Sequence, residues 1–144
     1  MRFFFYGTLL DGSDNPVARD IHALLDPLGP AEVEGALHAV PDAQGWFPAL
    51  LPGTGRVRGR LYQARAHFTP ADLARMDAYE DFDPAGPGSS LYLRQEMAVM
   101  PGGHAQVYVF NQPLPVEAQR IVHGDFRLWL EERHLPQFRG LRDS

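Results

Sequence analysis

Asp77 and Glu80 sit at the end of a helical-looking stretch that opens at Thr69. On a helix, Leu73, Met76 and Glu80 fall on one side, at spacings of three, four and seven residues. Asp77 lies at the edge of the same stripe. A carboxylate on an apolar face loses solvation, which raises its pKa, and a second acid three residues away pushes in the same direction. A carboxyl tuned in this way can accept and return a proton near neutral pH. The alternative is that the helix ends early and Glu80 points into solvent beside Asp81 and Asp83, the commoner place for an acid.

A second segment lies far away in sequence. Tyr6-Gly7-Thr8-Leu9 follows the apolar run Phe3-Phe4-Phe5. A strand that ends in a glycine-containing turn can present successive backbone N–H groups to an anion. Gly7 allows close approach, and Thr8 adds a hydroxyl. An ordinary tight turn is the competing reading. Tyr92 and Arg94 lie two apart on one strand face and could meet a substrate carboxylate, Arg being a bidentate donor. A structural pairing of Arg94 with Glu96 or another nearby acid competes with that.

Other chemistries are excluded or disfavoured by residue type. The chain has no cysteine, so disulfides, thiolate catalysis and Cys-type zinc sites are excluded. It has no lysine, so neither a lysine Schiff base nor a P-loop lysine is available. The six histidines never fall at i, i+2 or i, i+4, and no metal motif is expected. No serine has a G-x-S-x-G context. The net charge of −5 disfavours nucleic acid as a partner. No stretch is long and apolar enough to span a bilayer, so no membrane partner is expected and a cytoplasmic location is the default.

The elements that must position these residues follow from patterning. Residues 2–6 read as a buried strand. Asn15-Pro16 starts a helix, with Val17, Ile21, Leu24, Leu25 and Leu28 at helical spacing and Pro27 limiting its end. Residues 32–40 form a second strand. Residues 42–55, rich in Pro and Gly, read as a loop whose apolar members fold back onto the body. Val57, Gly59 and Leu61 alternate with Arg56, Arg58 and Arg60 as a half-buried strand, with Gly59 marking a bulge or close backbone approach. Thr69, Pro70 and Asp72 make a capping box for a helix running to about residue 80. Residues 91–100 and 105–111 are two strands joined by a hairpin connection at 101–104. A last helical region spans about 116–133, interrupted or re-capped near Gly124-Asp125, with Phe126, Trp129 and Leu130 packing inward. Five or so strands and two or three helices, not in strict alternation, give an α+β class. The sheet is expected to be mixed or barrel-like, within one domain spanning residues 1–144. A parallel Rossmann sheet is disfavoured, because the first strand is not followed by G-x-G-x-x-G.

Five segments occur in a specific order: Tyr6-Gly7-Thr8-Leu9; Phe47-Pro48-Ala49-Leu50-Leu51-Pro52-Gly53; Val57-Arg58-Gly59-Arg60-Leu61-Tyr62; Met76-Asp77-Ala78-Tyr79-Glu80; and Tyr92-Leu93-Arg94. In that order they resemble the γ-glutamylcyclotransferase-like family, with its γ-glutamylamine cyclotransferases and avirulence-induced relatives, over residues 2–111. The resemblance implies a small, mostly antiparallel β-barrel flanked by helices, with the pocket at one barrel end. It implies that Tyr6, Gly7, Thr8 and Leu9 form the substrate-binding loop, that Glu80 is the catalytic acid/base, and that a small γ-glutamyl compound is the substrate. Thr8 stands where some members carry serine, and Met76 where leucine is often seen. No cofactor is implied: the nucleophile in such a cyclisation is the substrate's own α-amine. Two other readings stay open, a non-catalytic module binding a small carboxylate or metabolite, and a tailoring enzyme that removes a γ-glutamyl group from another metabolite. The residues leave open the amine half of the substrate and the oligomeric state.

Overall fold

The computed structural model describes residues 1–7, 9 and 16–138. Its elements run β1 (Arg2–Phe5), α1 (Pro16–His22), β2 (Leu25–Asp42), β3 (Gly45–Ala64), α2 (Pro70–Tyr79), a short 3-10 turn (Pro87–Ser89), β4 (Tyr92–Ala98), β5 (His104–Phe110), β6 (Gln119–Arg120) and α3 (Phe126–Arg133). The strands form one six-stranded sheet in the order β4-β5-β1-β3-β2-β6. The β1–β5 pair is parallel and every other pair is antiparallel. The sheet curls until Glu32 of β2 exchanges two backbone hydrogen bonds with Met100 beyond β4, at 3.0 and 2.9 Å. The result is the α+β, mixed and barrel-like sheet that the patterning anticipates.

Strand β1 explains how the layers are arranged. Its phenylalanines are at most 2% exposed, so both faces of the strand are buried. Phe3 and Phe5 point to one core with Tyr62, Tyr108 and Phe110, covered by Ala18 and Ile21 of α1 and by Met76 and Tyr79 of α2. Phe4 and the following Tyr6 point to the other, with Val57, Leu61, Val107 and Val109, covered by Phe126, Trp129 and Leu130 of α3. Each fully buried phenylalanine contributes about 2 kcal/mol of apolar burial. No helix among the described residues is long and apolar enough to cross a membrane.

Three expectations are corrected. Helix α1 ends at His22, and Leu25 opens β2 opposite Ala64 instead of continuing the helix, as does Leu28 within the same strand. Pro27 cannot sit in a helix interior, but it is tolerated here because this end of β2 pairs only with β3. The proposed N-cap Asn15 lies outside the described residues.

The supposed loop at 42–55 is mostly strand. Trp46 to Leu51 pair with Pro41 to Ala36 across a tight turn at Ala43 and Gln44. Only residues 52–55 leave the ladder, between the pairs Ala36↔Leu51 and Glu34↔Arg56. The prolines read as breakers, yet Pro48 lies where β3 pairs with β2 alone, since β1 covers only Arg60 to Gln63.

The last helical region is shorter than expected. Gln119 and Arg120 pair with β2, and the helix begins only at Phe126, where the Asp125 side chain accepts the Leu128 N–H at 3.0 Å.

Candidate active site

Helix α2 is defined at both ends by its own sequence. At its start the Thr69 hydroxyl accepts the Asp72 N–H, and the Asp72 carboxylate accepts the Thr69 N–H at 2.9 Å, the expected capping box. At its end Asp81 takes a left-handed conformation, φ 54°. The Asp81 N–H then reaches Ala78 O at 3.1 Å and the Phe82 N–H reaches Asp77 O at 2.9 Å, which is a Schellman closure. Glu80 is therefore the helix cap, and the chain turns away directly after it.

That geometry decides between the two readings of Glu80. The residue is only 7% exposed, and Asp77 only 4%. Glu80 lines a small cavity together with Tyr6, Gly7 and Leu9 from the turn after β1, Pro48 from β3, Tyr92 from β4 and Tyr108 from β5. Its volume of about 20 Å³ is close to that of one water. Of the residues singled out in the sequence, Tyr6, Gly7, Leu9, Glu80 and Tyr92 meet at this cavity. Thr8 lies outside the described residues.

Arg94 is used differently from the expectation that it meets a substrate carboxylate. Its Nε donates to Asp77 Oδ1 at 2.9 Å, its Nη2 to Oδ2 at 3.4 Å and its Nη1 to Gln106 Oε1 at 2.8 Å. The guanidinium also stands 5.9 Å from the Phe82 ring centre. Arg94 thus connects to the cavity through Asp77 and Tyr108, whose hydroxyl donates to Asp77 Oδ1 at 2.6 Å. Burial pushes the Tyr108 phenol far above the usual tyrosine range. The bond to Asp77 and the nearby charges of Asp77 and Glu80 add to that, and Arg94 opposes them. Tyr108 therefore keeps its proton at any physiological pH.

Tyr108 and Pro48 were not singled out in the sequence as site residues. A signal for Tyr108 existed. The hairpin connection at 101–104 sets β5 against β4 in a register that places Tyr108 opposite Arg94. For Pro48 there was none, because its neighbour Gly7 is brought to it only by the sheet. An ideal Cβ on Gly7 would fall 2.2 Å from Pro48 Cγ, so the turn after β1 approaches β3 as closely as only glycine permits.

A larger groove of about 790 Å³ lies against α3, between Glu32, Arg58 and Leu128. Its charges are largely occupied with each other: Glu32 pairs with Arg56 and Arg58 at 3.4 and 3.5 Å, and Asp125 caps α3. The small cavity, not the groove, holds a buried carboxylate beside a glycine turn and three phenols. Such a set can exchange a proton with a small polar molecule brought against it. Among the described residues no three His, Asp or Glu side chains converge to hold a metal ion.

A family model described as gamma-glutamyl cyclotransferase, AIG2-like, matches residues 3–128. None of the curated proteins compared matches the chain. Solved structures share the fold. The uncharacterized protein PH0828 from Pyrococcus horikoshii has a TM-score of 0.63 at 21% identity, covering 93% of this chain and 97% of its own. The protein ytfP from Escherichia coli has a TM-score of 0.59 at 26% identity, covering 88% and 96%. An AIG2-like protein (ggact) from Mus musculus has a TM-score of 0.55 at 23% identity, covering 94% and 84%.

Proposed function

The chain belongs to the gamma-glutamyl cyclotransferase, AIG2-like family, and on that premise we propose that it cyclises a γ-glutamyl amide to 5-oxoproline, releasing the amine, with Glu80 as general acid/base. The observation that carries this reading is the meeting of a buried Glu80 and the Tyr6-Gly7 turn in one cavity.

The reaction needs little from the protein beyond these groups. The α-amine of the glutamyl group attacks its own δ-carbonyl, forming the ring C–N bond. The old amide C–N bond breaks, and the leaving nitrogen departs as an amine. The α-ammonium must first lose a proton, which Glu80 takes, and Glu80 then returns it to the leaving nitrogen. The second proton lost by the ring nitrogen leaves by the same carboxylate or to solvent. The barrier falls mainly because the extended glutamyl chain is held folded, with amine and carbonyl in reacting distance. Backbone N–H groups of the turn after β1 would stabilise the oxyanion or hold the α-carboxylate.

The test is 5-oxoproline release from a panel of γ-glutamyl amines and dipeptides by the parent and Glu80→Gln. Loss of roughly 10²–10⁴-fold in the variant is expected, since Gln keeps the shape but cannot exchange the proton. Equal turnover by the two proteins refutes Glu80 as the base. No release by folded parent protein across the panel leaves a binding module, or a tailoring enzyme with a substrate outside the panel.

A further inference from the structure

Asp77 stands three residues before Glu80, and along the chain alone its charge opposes the ionisation of Glu80. The fold sets a cation against it. Arg94 of β4 gives Asp77 two hydrogen bonds, from Nε at 2.9 Å and from Nη2 at 3.4 Å, and the Tyr108 hydroxyl gives it a third at 2.6 Å. The guanidinium is itself held, with Nη1 on Gln106 Oε1 at 2.8 Å and the Phe82 ring centre 5.9 Å away. Tyr108 lines the cavity with Glu80, so the pair meets the site through one phenol. The charges of Asp77, Glu80 and Arg94 all act on that phenol, the two acids opposing its ionisation and the arginine favouring it. The Asp77 side chain is 6% exposed and that of Arg94 19%, so water screens these charges little.

We propose that Arg94 and Asp77 are positioning residues that act on the reaction as one neutral pair: Arg94 cancels the Asp77 charge at Glu80, so that Glu80 meets its substrate as a base and does not share a proton with a second acid. The proposal rests on the γ-glutamyl reading above and deepens it, by naming what keeps its base ionised. Two poorly solvated carboxylates close together hold one proton between them. A base that already carries that proton cannot take another from an ammonium group. Asp77 is nonetheless needed as an anion, because its charge-assisted bond anchors the Tyr108 hydroxyl at the cavity wall. Arg94 makes the two requirements compatible. Other titratable groups face Glu80 from the elements around it. Tyr6 comes from the turn after β1, Tyr92 from β4 and Tyr108 from β5, while Pro48 of β3 carries no charge. His22 of α1 stands behind Leu9, its Nε2 donating to the Leu9 carbonyl, and Asp81 follows Glu80 but is exposed. All of these are unchanged in variants of the pair, so differences among such variants belong to Arg94 and Asp77.

The ionisation of Glu80 is followed by carbon-13 NMR of its side-chain carboxyl in the intact protein, assigned with Glu80→Gln. The acid limb of kcat/KM for 5-oxoproline release is recorded alongside, since that limb reports the free enzyme's base. The parent is compared with Asp77→Asn, Arg94→Gln and the double variant. Asp77→Asn leaves Arg94 uncompensated, which favours the Glu80 anion, and should move the midpoint and the limb down by about one pH unit. Arg94→Gln leaves Asp77 uncompensated and should move both up by about one pH unit. The double variant restores neutrality, and both should return close to the parent's values. A merely structural defect lowers the amount of active protein and leaves the midpoint where it was. Should Arg94→Gln fail to fold, the other two variants still decide: adding Arg94→Gln to Asp77→Asn must bring the midpoint back, and a double variant that titrates like Asp77→Asn overturns the proposal. Equal midpoints in the parent and all folded variants overturn it too. The NMR titration needs no turnover. Opposite shifts without 5-oxoproline release refute the catalytic reading and spare the neutral pair, and release with fixed midpoints does the reverse.

Discussion

Gly7 shows how closely packing can fix the turn that lines the candidate site. Its close approach to Pro48 means that even alanine must displace a proline ring. Gly7→Ala should lower stability by about 1–3 kcal/mol in urea unfolding, the usual cost of overpacking. Affinity lost in Gly7→Val would therefore report distortion around Pro48 as well as any contribution of the turn to binding. Arg94 poses the opposite problem. Its side chain is 19% exposed and that of its partner Asp77 only 6%, so removing it leaves an enclosed carboxylate without its cation, with the Tyr108 hydroxyl still donating to it. Arg94→Ala is expected to destabilise the protein by about 3 kcal/mol, well above the cost of losing a surface pair. A change within 0.5 kcal/mol would mean that the pair is not structural.

At the scale of the element, α2 carries the site because its two ends are specified. Asp81 holds a left-handed conformation that glycine adopts at lower cost. Asp81→Gly should raise stability by about 0.5–1 kcal/mol, read as a shift in the unfolding midpoint with an unchanged slope. At the other end, the hydrogen bonds from Thr69, backbone first and side chain second, hold the Asp72 carboxyl below its ordinary value of 3.8. A depressed folded-state pKa contributes stability that is present above the unfolded value and is lost as pH falls through the folded one. Asp72→Asn should therefore flatten the stability curve below about pH 4 while leaving its shape near neutrality intact. Thr69→Ala removes the cap itself and should cost about 1 kcal/mol at pH 7.

At the scale of the whole molecule, the curled sheet separates two cores, and the site belongs to the junction between them. Phe5 and Tyr108 of one core and Phe4 and Tyr6 of the other all line the cavity. The α3 side can therefore be perturbed without touching Glu80. Gly124 joins that side to β3: its carbonyl accepts the Arg58 N–H at 2.7 Å, and its φ is +78°. An ideal Cβ there would lie 1.8 Å from Arg56 O. Gly124→Ala should cost at least about 2 kcal/mol by thermal or urea unfolding. Turnover by the fraction still folded should stay close to the parent's. A selective loss of turnover with stability intact would show that the two sides of the sheet are coupled.

The sequence by itself determined whatever depends on neighbours along the chain. The capping box at Thr69, the buried run Phe3-Phe4-Phe5 and the hairpin of β4 and β5 all follow from local chemistry. Between a bulge and a close backbone approach at Gly59 the sequence left both open, and the pairing of β1 with β3 decided for the approach, with a Cβ position 2.2 Å from Phe5 O. The five ordered motifs carried the family and the fold. Where proline and glycine signal a break at 42–55, local propensity points the wrong way, because pairing with β2 makes strand the better state. The same holds for Leu25, which β3 draws out of the helical pattern. Only the tertiary structure decided that Glu80 faces inward, because a helix stripe does not say what packs against it. Only it decided that Arg94 belongs to Asp77, since residues seventeen apart on a helix and a strand meet only when the sheet has curled around them. The direction of a phenol's single proton is likewise set by which carbonyl or carboxylate the fold brings beside it.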